Sequence, residues 1–207
     1  MHNGAPVARL LEGFLSYLVL KEAVIAIGDY RIVPLRKEDI LSIKDWRNDQ
    51  MAVLRQNTVL TSDAQLRYYD TVVRRSFEER QPNVMLFSYL LRNECIGYGG
   101  LTNIDWFSRR TEMSFLLDTG RANRLELYEM EFSNFISLIK KVIFLDLEFN
   151  RIFTETFDIR DGHVRILEKN GFRLEGRLRQ HVLIDQRFVD SLIHGYIKED
   201  FRHGMER

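Results

Sequence analysis

Residues 118–132, DTGRANRLELYEMEF, join a strand-like run, RTEMSFLL, to a long helix with an apolar stripe. A strand–loop–helix junction is where many α/β proteins hold phosphates, because amides at a helix start have no partner within the helix. Loops of that kind are usually rich in glycine and poor in acids. This one has a single glycine, Gly120, and four acids, Asp118, Glu126, Glu129 and Glu131. Two histidines, His181 and His194, could shuttle protons near neutrality, although a satisfied structural histidine is the commoner case. The lone Cys95 has apolar neighbours and reads as a strand residue rather than a nucleophile. The spacings of His, Asp and Glu match no metal-binding motif, so no metal is expected.

The elements that must position these groups follow from hydrophobic periodicity. YRIVPL (30–35) alternates apolar and polar and reads as a strand. Ile40, Leu41, Ile43 and Trp46 recur at helical spacing in KEDILSIKDWRND (37–49). A second helix is expected over 61–80, capped by Thr61, Ser62 or Asp63 and ended by Pro82-Asn83. VMLFSYLL (84–91), CIGYGGLTNID (95–105) and TEMSFLLD (111–118) read as three strands, the first two as a hairpin around Arg92-Asn93-Glu94. Glycines 97, 99 and 100 inside the middle strand signal a bulge or a close backbone approach. The long helix carries Phe132, Phe135, Ile136, Ile139, Val142 and Ile143 at spacings of three and four. RIFTETFD (151–158) is a strand, and RDGHVRILEKNGF (160–172) a short helix stopped at Asn170-Gly171. RLEGRLRQHVLID and RFVDSLIHGYI close the chain as a hairpin around Asp185-Gln186. The order predicts one mixed α/β domain over 30–203. Residues 1–29 are expected as an appended helix and strand.

Bulk properties narrow the function classes. The 207 residues suffice for one domain with a real core, and 45% apolar with 29% charged content is ordinary for a soluble protein. Formal net charge is zero, against a nucleic-acid binder that relies on a global positive field. One cysteine excludes an internal disulfide framework and fits a reducing, cytoplasmic setting. LLEGFLSYLVL (10–20) is too short to span a bilayer, carries Glu12 and lacks a small-residue cleavage pattern. It reads as an amphipathic helix packed on the domain or on a second copy in a homodimer.

Several words in this order resemble the GNAT superfamily of acyl-CoA-dependent N-acetyltransferases, and within it the branch of ribosomal-protein, amino-sugar and polyamine acetyltransferases. They are WRND (46–49), CIGYGGLTNID (95–105), RTEMSFLL (110–117), FLDLEFNRI (144–152), ILEKNGF (166–172), and EGRLR (175–179) with VDSLIHGYIKEDF (189–201). The resemblance spans about residues 30–201. The fold this implies is a central mixed sheet of about seven strands with helices on both faces. ILEKNGF itself needs no catalytic explanation, since Ile166, Leu167 and Phe172 are accounted for by packing.

The resemblance implies acetyl-CoA as co-substrate and a primary amine that attacks it directly. The pantetheine arm would lie against the strand Glu112–Asp118, beside Phe115, Leu116 and Leu117, with a main-chain N–H near Phe115 or Leu116 polarising the thioester carbonyl. Glu112 is the expected base, pairing with Arg109 or Arg110 being its structural alternative. Tyr98, Asn103, Glu155 and His181 would line the acceptor pocket. Many relatives carry a tyrosine as general acid at the position of Leu167, so the thiolate here must find its proton elsewhere or leave as such. The relatives' phosphate loop would fall over LYEMEF (127–132), which has no glycine. A shifted loop over Gly120, Arg121, Ala122, Asn123 and Arg124 is expected in its place, with the helix starting near Leu125 and with Arg160, Arg165 and Lys169 meeting the coenzyme from the next helix. A small amine such as an amino sugar is the favoured acceptor, with Trp106-Phe107 and Arg109-Arg110 near the acceptor mouth. A protein N-terminus is a further acceptor. A silent domain that binds a partner is the alternative.

Overall fold

The computed structural model describes residues 9–11 and 14–205. Positions 1–8, 12–13 and 206–207, part of the expected N-terminal extension among them, lie outside the described residues. Among the described residues of 10–20, the expected helix does not form. β1 (Arg9–Leu11) and β2 (Phe14–Ser16) pair antiparallel as a small ribbon. Tertiary bonds outweigh the helical spacing of the apolar residues. The buried Tyr17 hydroxyl accepts from the Leu86 amide at 2.6 Å and donates to the Leu86 carbonyl at 2.9 Å. The Leu18 amide donates to the Phe77 carbonyl at 2.8 Å. An extended segment can offer these groups to its neighbours, whereas helix-interior backbone groups are already paired.

The main sheet has eight strands: β3 (Ile25–Ile27), β4 (Tyr30–Pro34), β5 (Met85–Leu91), β6 (Glu94–Asp105), β7 (Arg110–Leu117), β8 (Arg151–Phe157), β9 (Arg173–Ile184) and β10 (Arg187–Ile197). Their order is β3-β4-β5-β6-β7-β8-β10-β9, and β7–β8 is the parallel pair among antiparallel ones. The eighth strand is β3, which joins β4 through Gly28 at φ +57°. The sheet therefore begins inside the segment expected as an extension.

The helices are α1 (Ile40–Asp49), α2 (Ser62–Tyr68), α3 (Arg74–Ser76), α4 (Thr119–Ala122), α5 (Leu125–Lys141), α6 (Asp161–Lys169) and α7 (Lys198–Met205). Thr61 caps α2, its hydroxyl accepting from the Ala64 amide at 3.3 Å. α6 stops where expected, at Gly171 with φ +86°, and the turn buries Phe172 in the core. α5 starts at Leu125, also as expected.

Alternation along β7 decides what meets what. Met113, Phe115 and Leu117 face α5, where Phe115 stacks on Phe132 at 4.5 Å between centroids and meets Phe135 at 4.7 Å. Glu112, Ser114 and Leu116 take the opposite face, toward α1. The glycines of β6 mark a close approach. A Cβ at Gly97 would sit 2.6 Å from the Leu116 carbonyl, and one at Gly99 would meet the Ser114 carbonyl and lie 2.7 Å from Cζ of Phe135. Gly99 thus lets the α5 aromatics lie directly on the sheet.

Candidate active site

β7 and β8 pair over three positions, Arg110 with Arg151, Thr111 with Ile152 and Glu112 with Phe153. Beyond Glu112 the two backbones part, and alternate amides and carbonyls of β7 turn into the gap without a β8 partner. Phe132 of α5 lines the gap. Its ring lies between Phe115 of β7 at 4.5 Å and His163 of α6 at 4.3 Å, close to parallel with both. A cavity of about 100 Å³ occupies the gap, lined by Glu112, Ser114 and Phe115 on one side and Thr154, Glu155, Arg160 and His163 on the other.

Glu112 sits at the fork, its side chain 3% exposed. The carboxylate accepts from the Asn103 amide at 2.6 Å and is ion-paired with Arg55. Asn103 reaches it because the β6–β7 register breaks after Thr102, and Asn103 itself adopts φ +48°. Such a bulge re-aims a side chain. Arg55 also lies 3.4 Å from Glu155 Oε2, and His181 Nε2 is 3.6 Å from Glu155 Oε1. Glu112, Asn103, Glu155 and His181 are thus brought together. The residue that joins them, Arg55, was not anticipated. The one sequence signal is that Arg55 is the only charge between Asp49 and Asp63. The pairing of Glu112 with Arg109 or Arg110 is not formed; Arg110 turns to Asp105 at 3.2 Å.

Tyr98 lies elsewhere on the same face. Its hydroxyl accepts from Arg47 at 3.0 Å, and burial pushes its pKa up, with the Arg47 charge opposing. It lines a second cavity of about 210 Å³ between the sheet, α1 and α2, which Ser114 and Arg55 share with the first. His194 faces away from the acceptor side, opposite Thr154 on the α6 face, buried with neither ring nitrogen hydrogen-bonded. Burial pushes its pKa down. Trp106 packs edge-on against Phe149 and donates to the Pro82 carbonyl at 3.0 Å, so packing accounts for it, while Phe107 is 99% exposed. Cys95 donates to the Gly97 carbonyl, and burial pushes its thiol up to about 12, which keeps it protonated.

At the far end of the gap, Arg160 donates to the Tyr128 hydroxyl at 3.0 Å, and that oxygen lies 2.7 Å from His163 Nδ1. Burial, aided by the Arg160 charge, holds His163 well below the usual histidine range, so the ring is neutral. Tyr128 then donates to Nδ1, which leaves the ring proton on Nε2. Tyr128 and His163 were also not anticipated. Leu167, one turn further along α6, is buried where relatives are expected to carry a tyrosine.

The opening loop is folded in on itself. The amides of Arg121, Ala122, Asn123 and Arg124 donate to carbonyls of Asp118, Thr119 and Arg121, and the Asp118 carboxylate also takes the Arg121 amide at 3.0 Å. The Arg121 side chain pairs with the buried Glu131. The open cradle expected over residues 120–124 is therefore not formed, because the amides of 121–124 are already spent within the turn. Arg124 is exposed, and the α5 amides of Leu125, Glu126 and Leu127 precede any helical acceptor. Lys169 pairs with Glu129 beside a cavity of about 240 Å³ lined by Leu125, Gly162 and the exposed Arg165. Among the described residues no cluster of three or more His, Cys, Asp or Glu could hold a metal ion. No described helix is long and apolar enough to cross a membrane.

An eight-stranded sheet that parts at one parallel pair is a distinctive frame, and family comparison agrees with it. The acetyltransferase (GNAT) domain matches residues 32–193. The chain belongs to the GNAT acetyltransferase family. A prophage-derived uncharacterized N-acetyltransferase of Bacillus subtilis, YokL, is 28% identical over 71 residues, a stretch covering 33% of this chain and 40% of that protein. Among solved structures, spermidine N-acetyltransferase from Vibrio cholerae in complex with CoA and spermine superposes with a TM-score of 0.73 at 15% identity, over 85% of this chain and 99% of that one. A probable GNAT acetyltransferase from Chromobacterium violaceum superposes with a TM-score of 0.69 at 14% identity, over 87% and 93%. At such identities the superpositions speak for the fold.

Proposed function

We propose that this GNAT protein transfers acetyl from acetyl-CoA to a small primary amine by direct attack. The observation that carries the reading is the parting of β7 and β8 at Glu112, which sets unpaired main-chain groups of β7 beside a buried carboxylate. The coenzyme's pantetheine arm fits a strand edge with free amides and carbonyls, and residues 113–117 present one. A β7 amide near Phe115 or Leu116 polarises the thioester carbonyl and stabilises the oxyanion. Glu112 takes the proton of the attacking amine. The sulfur leaves as thiolate, since a thiol that ionises near 8.5 is an adequate leaving group and no tyrosine stands at position 167. The phosphates fall to the first turn of α5, with Arg124 and Arg160 supplying charge.

Two carboxylates, Glu112 and Glu155, face the acceptor side. They support a cationic amine, with a polycation such as the spermine held by the Vibrio cholerae structure above an amino sugar. Thiol release over a panel of amines tests the reading. Glu112→Gln should lower kcat about 100-fold or more while acetyl-CoA affinity stays unchanged; equal loss of both would point to a disturbed pocket.

The spent amides of 121–124 favour a second reading, a domain of this fold that binds a partner without transferring acetyl. Direct titration with acetyl-CoA separates the two.

A further inference from the structure

Leu54 and Arg55 border three cavities at once. One is the β7–β8 gap, the second an outer groove bounded by Phe157 and Val182–Asp185, and the third the inner cavity beside Tyr98. Arg55 is therefore the partition between the place proposed for the thioester and both approaches to it. It sits in an irregular stretch between the short turn Met51–Val53 and α2, and its side chain is 51% exposed. Its side-chain hydrogen bonds go to Glu112 and Glu155. Those carboxylates are far less exposed, at 3% and 13%. One oxygen, Glu155 Oε1, is buried with no hydrogen-bond donor, and His181 Nε2 stands off at 3.6 Å. The cluster thus has two carboxylates, one guanidinium and an unsatisfied acceptor atom.

We propose that the acceptor subsite is the place the Arg55 guanidinium now holds, and that it takes a cationic amine whose ammonium exchanges for that guanidinium between Glu112 and Glu155. Baring two buried carboxylates would be costly, because an unpaired buried charge is strongly unfavourable. One cation replacing another avoids that cost. A neutral or anionic acceptor has no such route and meets a closed partition, so Arg55 is a specificity-determining residue. An ammonium brings three donors, enough for both carboxylates and for the unsatisfied Glu155 Oε1. The step balances simply. The ammonium gives one proton to Glu112, the freed nitrogen pair forms the C–N bond, the C–S bond breaks and sulfur leaves with its electron pair. The second proton, shed by nitrogen as the amide forms, neutralises the thiolate. This inference rests on the proposed acetyl transfer.

Arg55→Ala and Arg55→Gln test it, with methylguanidinium as the probe for the vacated place. For cationic amines, KM should fall roughly tenfold, if Arg55 vacates the site about one time in ten. Methylguanidinium should bind Arg55→Ala, read by calorimetry and by a raised melting temperature, and should bind the wild type roughly tenfold more weakly. A KM that rises in both variants would overturn the proposal, by making Arg55 a binder of the acceptor's anionic group. Failure of methylguanidinium to bind a folded Arg55→Ala would overturn it too. If wild type acetylates no amine but methylguanidinium binds the variant, the transfer reading fails while the cation site stands. Transfer by wild type with no effect of either variant leaves the reading intact and removes Arg55 from it.

Discussion

The Arg121 guanidinium and the Glu131 carboxylate, ten residues apart along the chain, form a two-pronged pair in which Arg121 Nε lies 3.1 and 3.0 Å from the two oxygens. Glu131 is completely buried beneath α4, and Arg121 is its cationic partner. The arginine that looked available for phosphates is thus part of the loop's own architecture. Arg121→Ala should cost roughly 3 kcal/mol or more in urea unfolding, because it strands a buried charge. Arg121→Ala combined with Glu131→Leu should recover most of that loss. A single variant as stable as wild type would show that Glu131 finds water or another donor.

Gly99→Ala should cost about 1–3 kcal/mol. The added methyl meets the Ser114 carbonyl and Cζ of Phe135, so either β6 leaves β7 or the aromatic layer shifts. Thermal unfolding measures the loss. Coenzyme affinity should fall with it, since Phe115 and Phe132, which line the gap, pack in the same aromatic layer. A neutral substitution would mean that the layer yields easily.

Lys140 gives a pH signature. Its ammonium donates to the Asn170 carbonyl at 2.6 Å and lies 3.5 Å from the Tyr196 ring centroid. Burial pushes its pKa down from 10.5 to about 8, with Asp200 opposing. Between those values the unfolded chain binds more protons than the folded one, so this group's contribution to stability rises with pH across that window. Below pH 8 the charged form is held at a cost of roughly 3 kcal/mol. Lys140→Met should flatten the stability profile between pH 8 and 10.5 relative to wild type. Parallel profiles would mean that Lys140 keeps its charge at its ordinary pKa.

Much of the frame was legible because it is written locally. The Leu125 start of α5, the Thr61 cap and the Gly171 stop each depend on a few adjacent residues, and the apolar periods of β5–β8 are unambiguous. Residues 10–20 misled because their spacing suits a helix, while bonds that hold this part of the chain extended come from Phe77 and Leu86, far along the sequence. The acceptor side was half legible. Glu112, Asn103 and Glu155 lie on recognisable strands. Arg55 sits in an aperiodic stretch, and its partner Glu112 is 57 residues away. The loop over 118–124 was legible in composition but not in conformation. DTGRANR has the charges of an anion site, yet nothing local reveals that its amides close on Asp118 and Thr119.

The measurement that bears most directly on the central claim is calorimetric titration of the full chain with acetyl-CoA, beside dephospho-coenzyme A and pantetheine. The account predicts binding at roughly micromolar dissociation constants, weakened when phosphates are removed and abolished by filling the gap with Ser114→Trp in a folded variant. No binding at millimolar acetyl-CoA would contradict it, and would mean that the parting of β7 and β8 no longer serves a coenzyme.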